Sequence, residues 1–392
     1  MNCPSCPTSP DRPAPAGTPV IPRVLHLLGA TGDHGGIVSV LRGLQVATQG
    51  RLQNVAWVND GFRLERSPAL DLRRSPHALD ESDSHLRLLL RALQAWPGLR
   101  RLLAAEAFDV VHAHTRGSFP LACALAALRD APPVVFTNHA YARRTGLYRR
   151  AGRWPRLTTT LLTPNMARHY GLEAGPDVRI ISECGADAFF VRPLPIAPRA
   201  PGPMRFVGIG NLVRWKRWDL VLRAIAGLPS GIRDAVRLEV WGPTPEDADA
   251  KAYAGELLAL TGVLGLGDIV RFPGPTRQVA EVVAAADWFV LPSTHEPCSV
   301  ALIEALALGV PVVASASGGN VDIVADGVTG CLFRPDDVED LTAKLGAMVR
   351  GEIRPAAPEV SRESVRQRSA SAVAEEYLAL YRERITARRR AP

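Results

Sequence analysis

The sequence contains few cysteines and no long uncharged hydrophobic run. Its six cysteines in 392 residues are too few for the disulfide scaffold of a small secreted domain. The sequence contains no run of about 18 or more apolar residues without a charged residue, which excludes a transmembrane helix. The first 20 residues hold no apolar segment of the kind that forms the core of a secretory signal. We therefore expect a cytoplasmic protein.

The signatures of several common enzyme classes are also missing. There is no G-x-x-x-x-G-K loop of a P-loop NTPase and no G-x-S-x-G elbow of a serine hydrolase. Gly29, Gly32 and Gly35 resemble a dinucleotide turn, but none of the three lysines follows a tyrosine as a short-chain dehydrogenase requires. His112 and His114 lie on one face of a predicted strand, and no third metal ligand is evident beside them. No metal site is therefore predicted.

Short apolar runs alternate with helical stretches along two parts of the chain, a pattern typical of buried parallel strands and the helices that connect them. The predicted strands of the first part are 24–28, 55–58, 110–114, 134–137, 158–163 and 178–182. Those of the second part are 205–210, 236–241, 269–272, 288–291 and 312–315. A run of five prolines between the parts excludes a helix or a central strand there.

This alternation predicts an α/β protein with two doubly wound domains. The predicted divisions are a disordered Pro-rich leader at 1–20, an N-terminal Rossmann-like domain at 21–192, a linker at 193–203, a C-terminal Rossmann-like domain at 204–365, and a C-terminal helix at 366–392 that returns to the N-terminal domain.

The segment 291–315 carries the most specific chemistry. A buried strand ends at Leu291, and a helix is predicted to begin near Ser299 and to end at Gly309. Glu296 therefore lies in the turn at the carboxyl end of the sheet, where open α/β sheets bind their ligands. Glu304 lies eight residues further on, inside an apolar helix where a carboxylate is costly unless it is paired or serves a ligand.

The pair Glu296-x7-Glu304 resembles the carboxylate signature of retaining glycosyltransferases of family 4 (glycosyl transferases group 1). Four further segments resemble the same family in the expected order, and together they span about residues 23–385. They are the glycine turn at 35–36 with its helix, the segment Gly185-Ala-Asp-Ala-Phe-Phe, the phosphate-site turn Gly210-Asn-Leu-Val-Arg-Trp-Lys, and the glycine pair that begins the loop at 318–319.

The resemblance implies the GT-B fold, in which two Rossmann-like doubly wound domains face each other across a cleft. In that fold the N-terminal domain binds the acceptor and the C-terminal domain binds a nucleotide-sugar donor. The implied reaction moves the sugar with retention of configuration to a glycan, a lipid-linked acceptor or a small molecule, in cell-envelope or exopolysaccharide synthesis. No cofactor, no metal and no nucleic-acid partner is implied, and the only Asp-x-Asp, at 247–249, does not end a predicted strand.

The resemblance also assigns roles to individual residues. Glu296 would contact hydroxyl groups of the donor sugar, Glu304 the ribose, Lys216 the phosphates and His139 the reacting sugar. His114, at the end of the preceding predicted strand, is a second candidate for the role of His139. The remaining expectations concern donor binding: backbone N–H groups at Cys298, Ser299 and Val300 would hold the diphosphate, and Gly35 and Gly36 would let the backbone approach closely.

Two positions depart from the family pattern. Asn211 stands where the family usually has an arginine beside the leaving diphosphate, and Arg214 is expected to supply the missing charge. Asp322 replaces the usual glutamate after the glycine pair. Two other readings stay open: a nucleotide-sugar epimerase of the same fold, and a non-catalytic protein that binds a nucleotide sugar or a glycan.

The net positive charge of the chain comes from its first half. Residues 1–192 carry a net charge of +8, and the remainder carries −1. The segments 85–103 and 143–156 combine arginines with Trp96, Tyr148 and Trp154, a composition that suits an anionic membrane surface. Pro97 is expected to break the first segment. A peripheral location at the inner face of the membrane is therefore an alternative to a purely cytoplasmic one.

Overall fold

A computed structural model describes residues 21–29, 36–64, 70–79, 84–194, 202–354 and 356–390. The predicted leader, most of the predicted linker and Gly35 lie outside these residues. Within them the chain forms two parallel sheets, each flanked by helices.

The first sheet has seven parallel strands in the order β3-β2-β1-β4-β5-β6-β7. Its strands are β1 Arg23–Leu27, β2 Gln53–Asn59, β3 Asp71–Ser75, β4 Val110–Ala113, β5 Val134–Asn138, β6 Leu157–Leu161 and β7 Val178–Ile180. The helices of this part are α1 Gly36–Ala47, α2 His85–Ala105, α3 Phe119–Ala127, α4 Gly146–Ala151, α5 Pro164–Tyr170 and α6 Asp187–Phe190.

The second sheet has six parallel strands in the order β10-β9-β8-β11-β12-β13. Its strands are β8 Met204–Ile209, β9 Val236–Trp241, β10 Val270–Gly274, β11 Trp288–Leu291, β12 Val312–Ser315 and β13 Gly330–Phe333. The helices that follow α6 are α7 Trp218–Ala226, α8 Ser230–Arg233, α9 Ala248–Val263, α10 Val279–Ala284, α11 Val300–Ala307, α12 Val338–Val349, α13 Pro358–Ser364 and α14 Ala370–Arg390.

The apolar runs form central strands because both faces of each sheet are covered. In β1, Val24 packs with residues of α1 and α14, whereas its neighbour Leu25 packs with residues of α2 and α3 on the opposite face. In β8, Phe206 faces α7 and α12, and Val207 joins the cluster that contains α11. Successive side chains of a strand point to opposite faces, so a strand covered on both sides is mostly apolar on both of them.

Helix α14 packs against α1 of the first sheet's layer. Buried polar contacts fix its position: the Tyr381 hydroxyl lies 2.6 Å from His112 Nδ1, and the Tyr377 hydroxyl lies 3.2 Å from Thr137 Oγ1. On the surface, Arg51 donates to Glu375 at 2.6 Å. The end of the chain is thereby anchored to the N-terminal sheet after it has crossed from the C-terminal one.

Helix α2 corrects one expectation. It runs without a break from His85 to Ala105 and includes Pro97, which was expected to end it. Pro97 lies on the exposed side, where water can hydrate the Leu93 carbonyl that loses its helical donor to the proline. Within the described residues, no helix combines the length and the apolar character that a membrane span requires.

Candidate functional site in the cleft

A cavity of about 690 Å³ lies between the two sheets, at the carboxyl ends of their strands. Both parts of the chain line it. Among the lining residues are Gly36, Ser39 and Glu183 from the N-terminal part, and Gly210, Asn211, Lys216, Arg277, Glu296, Cys298, Ser299, Val300 and Glu304 from the C-terminal part. Most of the residues singled out in the sequence therefore meet at one place.

Lys216 and Glu296 form a buried ion pair on the C-terminal wall. The Lys216 Nζ atom lies 2.7 Å from Glu296 Oε2, and each residue is less than 10% exposed. Lys216 ends a 3-10 turn after β8, and Glu296 lies in the loop between β11 and α11. Lys216 Nζ is also 4.4 Å from the ring centroid of Trp215, so the aromatic face adds a second attraction for the ammonium group.

The glycine pair at 318–319 supports the backbone of Glu296. Gly318 has φ +59°, and a Cβ atom there would lie 2.3 Å from the Glu296 carbonyl oxygen. A Cβ atom on Gly319 would lie 2.1 Å from the Pro297 carbonyl oxygen. The Gly319 N–H instead donates to the Glu296 carbonyl at 2.7 Å. Only glycine allows this approach, which fixes the loop that carries the glutamate.

The N-terminus of α11 faces the same cavity. Ser299 caps the helix, and its hydroxyl oxygen accepts a hydrogen bond from the Leu302 N–H at 3.3 Å. The N-terminus of a helix presents backbone N–H groups and partial positive charge, which suit an anion. The side chain of Cys298 is buried, and burial raises the pKa of its thiol to about 11, so this position contributes its backbone rather than a reactive thiolate.

The surroundings of Glu304 favour the protonated form of its carboxyl group. Burial raises the pKa of its carboxyl group to about 8, although a hydrogen bond from the Ala186 backbone lowers it in part. Because α6 begins directly after Ala186, the N-terminal part of the chain contributes to the environment of this carboxyl group. A neutral carboxyl group both donates and accepts hydrogen bonds, which suits a pair of hydroxyl groups.

His139 follows β5 directly, and its Nδ1 atom lies 2.6 Å from Glu183 Oε1. His114 follows β4, and its Nδ1 atom lies 3.3 Å from His139 Nε2. Both histidines thus lie at the carboxyl ends of adjacent strands. Neither is among the residues that line the cavity, but Glu183, the hydrogen-bond partner of His139, does line it.

His26, His112 and His114 form a buried cluster whose ligand nitrogens lie within 4.8 Å of one another. All six ring nitrogens have hydrogen-bond partners: Asn54, Tyr381, Thr137 and His139 on the outside, and each other at the His26–His114 contact. Burial lowers the pKa of all three rings and keeps them neutral. The residues are therefore engaged as a hydrogen-bonded network.

Two family models match consecutive parts of the chain. Glycosyltransferase Family 4 matches residues 62–172, and Glycosyl transferases group 1 matches residues 203–350. The chain belongs to glycosyltransferase family 4. The prediction of the family from its motifs is confirmed.

Among curated proteins, the α-maltose-1-phosphate synthase of Mycolicibacterium smegmatis is 31% identical over 54% of this family 4 chain and 53% of its own length. The chain thus spans about half the length of this relative. Among solved structures, sucrose-phosphate synthase from Thermosynechococcus elongatus superposes with a TM-score of 0.77 at 20% identity, over 93% of this chain and 100% of that one. Anabaena HepE in complex with UDP and glucose gives 0.69 at 16% identity, over 92% and 99%. The predicted GT-B fold is confirmed.

Arg214 does not take the place of the family's missing arginine. Its guanidinium group donates to Asp249 at 2.8 Å and to Glu256 at 2.7 Å, both on α9, and it is not among the residues that line the cavity. The expectation that it faces the diphosphate is therefore wrong for this structure. Asn211 does line the cavity, and the arginine that lines it nearby is Arg277, in the loop between β10 and α10.

Asp322 also has a structural role rather than a place in the cavity. Its carboxylate accepts a hydrogen bond from the Asn165 N–H at 2.7 Å, and Arg168 Nη2 lies 3.5 Å away. Both partners belong to α5 of the N-terminal part, so Asp322 joins the two domains beside the glycine pair.

Glu183, Ser39 and Arg277 line the cavity but were not singled out in the sequence. Glu183 and Arg277 share one signal that could have found them. Each is a charged residue just after a predicted strand, at 178–182 and 269–272, the same placement that pointed to Glu296. Gly36, in contrast, was predicted and begins α1 at the cavity wall.

Proposed function

We propose that this family 4 protein transfers a sugar from a nucleotide-sugar donor to an acceptor hydroxyl group, with retention of anomeric configuration. The observation that carries the proposal is the buried Lys216–Glu296 pair beside the N-terminus of α11. A positive side chain, a helix N-terminus and a carboxylate at one point match a phosphate group joined to a sugar.

In the proposed donor complex, the diphosphate lies at the N-terminus of α11, within reach of Lys216. Glu296 accepts hydrogen bonds from sugar hydroxyl groups, and the neutral carboxyl group of Glu304 contacts the ribose. The bond from the anomeric carbon to the phosphate oxygen then breaks. The acceptor oxygen attacks from the same face, and its proton passes to the departing phosphate. Stabilising the negative charge that develops on the diphosphate is the main contribution of the protein.

Neither a divalent metal nor a separate cofactor is needed in this scheme, because Lys216, Arg277 and the helix N-terminus offset the phosphate charge. The acceptor would enter along the N-terminal wall, where Gly36, Ser39 and Glu183 line the cavity. Relatives act in sugar-phosphate and glycan synthesis: one is named for the synthesis of maltose 1-phosphate, and another solved structure is a lipopolysaccharide galactosyltransferase. Acceptors of these classes are the first to try.

We also propose that the N-terminal domain rests on an anionic membrane surface. Four leucines at helical spacing on α2, Leu86, Leu89, Leu90 and Leu93, are 49–66% exposed. Arg87 and Arg91 on the same helix are exposed. The three aromatic residues do not support this surface as expected, since Tyr148 is buried against Phe119, and Trp96 and Trp154 pack against the core.

The experiment is a panel of UDP-, GDP- and ADP-linked sugars, first by thermal shift and then by slow hydrolysis of the donor without an acceptor. A donor that raises the melting temperature and is hydrolysed supports a transferase. Binding without hydrolysis or transfer points to the non-catalytic alternative, and interconversion of the sugar points to an epimerase. A chelator is expected to leave the activity unchanged, and strong inhibition reversed by a divalent cation would overturn the metal-independent scheme.

A further inference from the structure

Glu183 is a buried carboxylate on the cavity wall that the proposed roles leave without a function. It lies in the loop after β7 and is 5% exposed. Its Oε1 atom lies 2.6 Å from His139 Nδ1, whereas Oε2 has no hydrogen-bond partner among the residues that the structure describes. A buried carboxylate oxygen without a partner is costly unless a ligand supplies a donor.

A chain of hydrogen bonds connects Glu183 with the interior of the N-terminal sheet. His139 Nε2 lies 3.3 Å from His114 Nδ1, and His114 Nε2 lies 2.9 Å from His26 Nδ1. His26 Nε2 in turn lies 2.9 Å from Asn54 Oδ1. The chain therefore begins on β2, crosses β1 and the ends of β4 and β5, and arrives at the cavity after β7.

Asn54 sets the direction of these hydrogen bonds. Its Nδ2 atom donates to Gln45 Oε1 at 2.9 Å and to Thr48 Oγ1 at 3.2 Å, which leaves Oδ1 facing His26. An amide oxygen can only accept, so His26 carries its proton on Nε2 and accepts at Nδ1. The tautomer of His26 thus follows from its neighbours.

The tautomers of the next two rings follow in the same way. Because His26 accepts at Nδ1, His114 donates from Nε2 and accepts at Nδ1. His139 therefore donates from Nε2 to His114. Burial lowers the pKa of His26 to about 4 and the pKa of His114 well below its usual range, which agrees with neutral rings. One proton remains for the contact between His139 Nδ1 and Glu183 Oε1. Whichever of these two atoms carries it, Glu183 Oε2 is a hydrogen-bond acceptor.

We propose that Glu183 recognises a sugar hydroxyl group in the cleft through Oε2. The inference rests on the proposed function and assigns a further substrate-contacting residue to it. An oxygen that only accepts suits a hydroxyl group and disfavours phosphate. His139, His114 and His26 are positioning residues, because they hold the carboxyl group in one orientation through a chain anchored at Asn54.

The test compares wild type, Glu183→Ala and Glu183→Gln by isothermal titration calorimetry. The ligands are UDP-glucose and UDP, or the matching pair for whichever donor the panel selects. Glu183→Gln can donate from its amide nitrogen to His139 Nδ1 and keep an accepting oxygen at the position of Oε2, so the hydrogen-bond chain survives in this variant. The control is Glu375→Gln, which changes an exposed carboxylate on α14 that pairs with Arg51.

If the hydroxyl group belongs to the donor, Glu183→Ala should bind UDP within two-fold of wild type and lose ten-fold or more in affinity for the nucleotide sugar. If it belongs to the acceptor, both affinities stay and the acceptor KM rises ten-fold or more. In each case Glu183→Gln should retain most of the wild-type value.

Equal weakening of UDP and nucleotide-sugar binding in Glu183→Ala would indicate a structural role and overturn the inference. No change in either arm would overturn it as well. These outcomes differ from a failure of the proposed function, in which wild type itself binds no nucleotide sugar and the inference falls with it.

Discussion

The ammonium group of Lys216 lies 2.7 Å from a carboxylate oxygen of Glu296, and the two residues come from loops 80 positions apart in the sequence. Each side chain would be costly to bury alone, and the ion pair offsets part of that cost. Only three of the 46 basic residues are lysines, and the one buried in this cleft is the partner of Glu296. A compact ammonium group can turn between a carboxylate and a phosphate more easily than a planar guanidinium group.

Replacement of Lys216 should therefore affect both stability and turnover. In Lys216→Ala, Glu296 loses its partner while it stays largely buried, and we expect a loss of about 2 kcal/mol or more in the free energy of unfolding. Turnover should fall about 100-fold or more, since one group that stabilises the leaving charge is gone. Urea denaturation and donor turnover are the measurements.

Lys216→Arg separates the two effects. It keeps the charge, so its stability should lie closer to wild type, but the larger planar group should not restore turnover. The double variant Lys216→Ala/Glu296→Ala should be less destabilised than the two single losses added together. Wild-type turnover in Lys216→Ala would contradict the assignment of this residue to the donor site.

The glycine pair gives a prediction about the shape of the Glu296 loop. Gly318→Ala places a Cβ atom 2.3 Å from the Glu296 carbonyl oxygen in addition to the strain of φ +59°. Gly327→Ala is a matched control, because Gly327 has φ +74° and a Cβ atom there would meet nothing within 4 Å. In both variants the left-handed backbone conformation of the new alanine costs about 1 kcal/mol.

We expect Gly318→Ala alone to lose most of its turnover and to melt at a lower temperature than Gly327→Ala. The difference between the two variants measures the close approach, since the conformational strain is common to both. If the two variants behave alike in melting temperature and donor turnover, the contact with Glu296 is not needed.

The sequence predicted the central strands well because both of their faces are buried, but it missed two strands at the sheet edges. The missed strand β3 has the sequence Asp-Leu-Arg-Arg-Ser and is only half-buried, and its Arg73 pairs with Glu106 on the neighbouring connection. The missed strand β13 has four residues, Gly330–Phe333, and pairs only with β12 among the described strands. An edge strand has fewer neighbours, so the side chains of β3 need not form an apolar run, whereas β13 is apolar but only four residues long.

The site residues that could be predicted depend on local sequence, and those that could not depend on distant contacts. Glu296 and Glu304 could be placed from one contiguous segment, because its sequence predicts the strand, the turn and the helix. Arg214 was misplaced because its partners, Asp249 and Glu256, are 35 and 42 residues away, and their competition for its charge has no local signal. Glu183 was missed although it directly follows a predicted strand, and its hydrogen bond to His139, 44 residues away, has no local signal.

Glu304 provides a prediction about pH. Its pKa is raised to about 8 in the folded protein, and the usual value is 4.5. Between these pH values the folded state keeps a proton that the unfolded state releases. Rising pH therefore favours unfolding through this group, at about 1.4 kcal/mol for each unit of pKa shift that is crossed.

Glu304→Gln removes this proton linkage, so its stability relative to wild type should increase as the pH rises from about 4.5 to 8 and stay constant above. Donor affinity should fall in the same variant if the carboxyl group contacts the ribose. Glu256→Gln is the control, since exposed Glu256 has a lowered pKa and should show no such rise between pH 5 and 8. Urea denaturation across this pH range measures the stability of both variants, and a flat difference for Glu304→Gln would contradict the raised pKa of the Glu304 carboxyl group.

Membrane association can be tested on the leucines of α2. Leu89 and Leu93 lie one turn apart on the exposed side and are 49% and 60% exposed. Wild type should float with anionic liposomes at low salt and be released at high salt, because each basic residue near the surface contributes about 1 kcal/mol. Leu89→Ser/Leu93→Ser should weaken flotation through the loss of buried apolar area. Leu258→Ser, which changes a leucine 63% exposed on α9 of the C-terminal domain, should not weaken it.

Liposome binding that is equal in all three proteins would assign the attraction to the arginines alone. A wild-type protein that stays unbound at low salt would instead favour an acceptor taken directly from solution, and the exposed leucines would then need another partner.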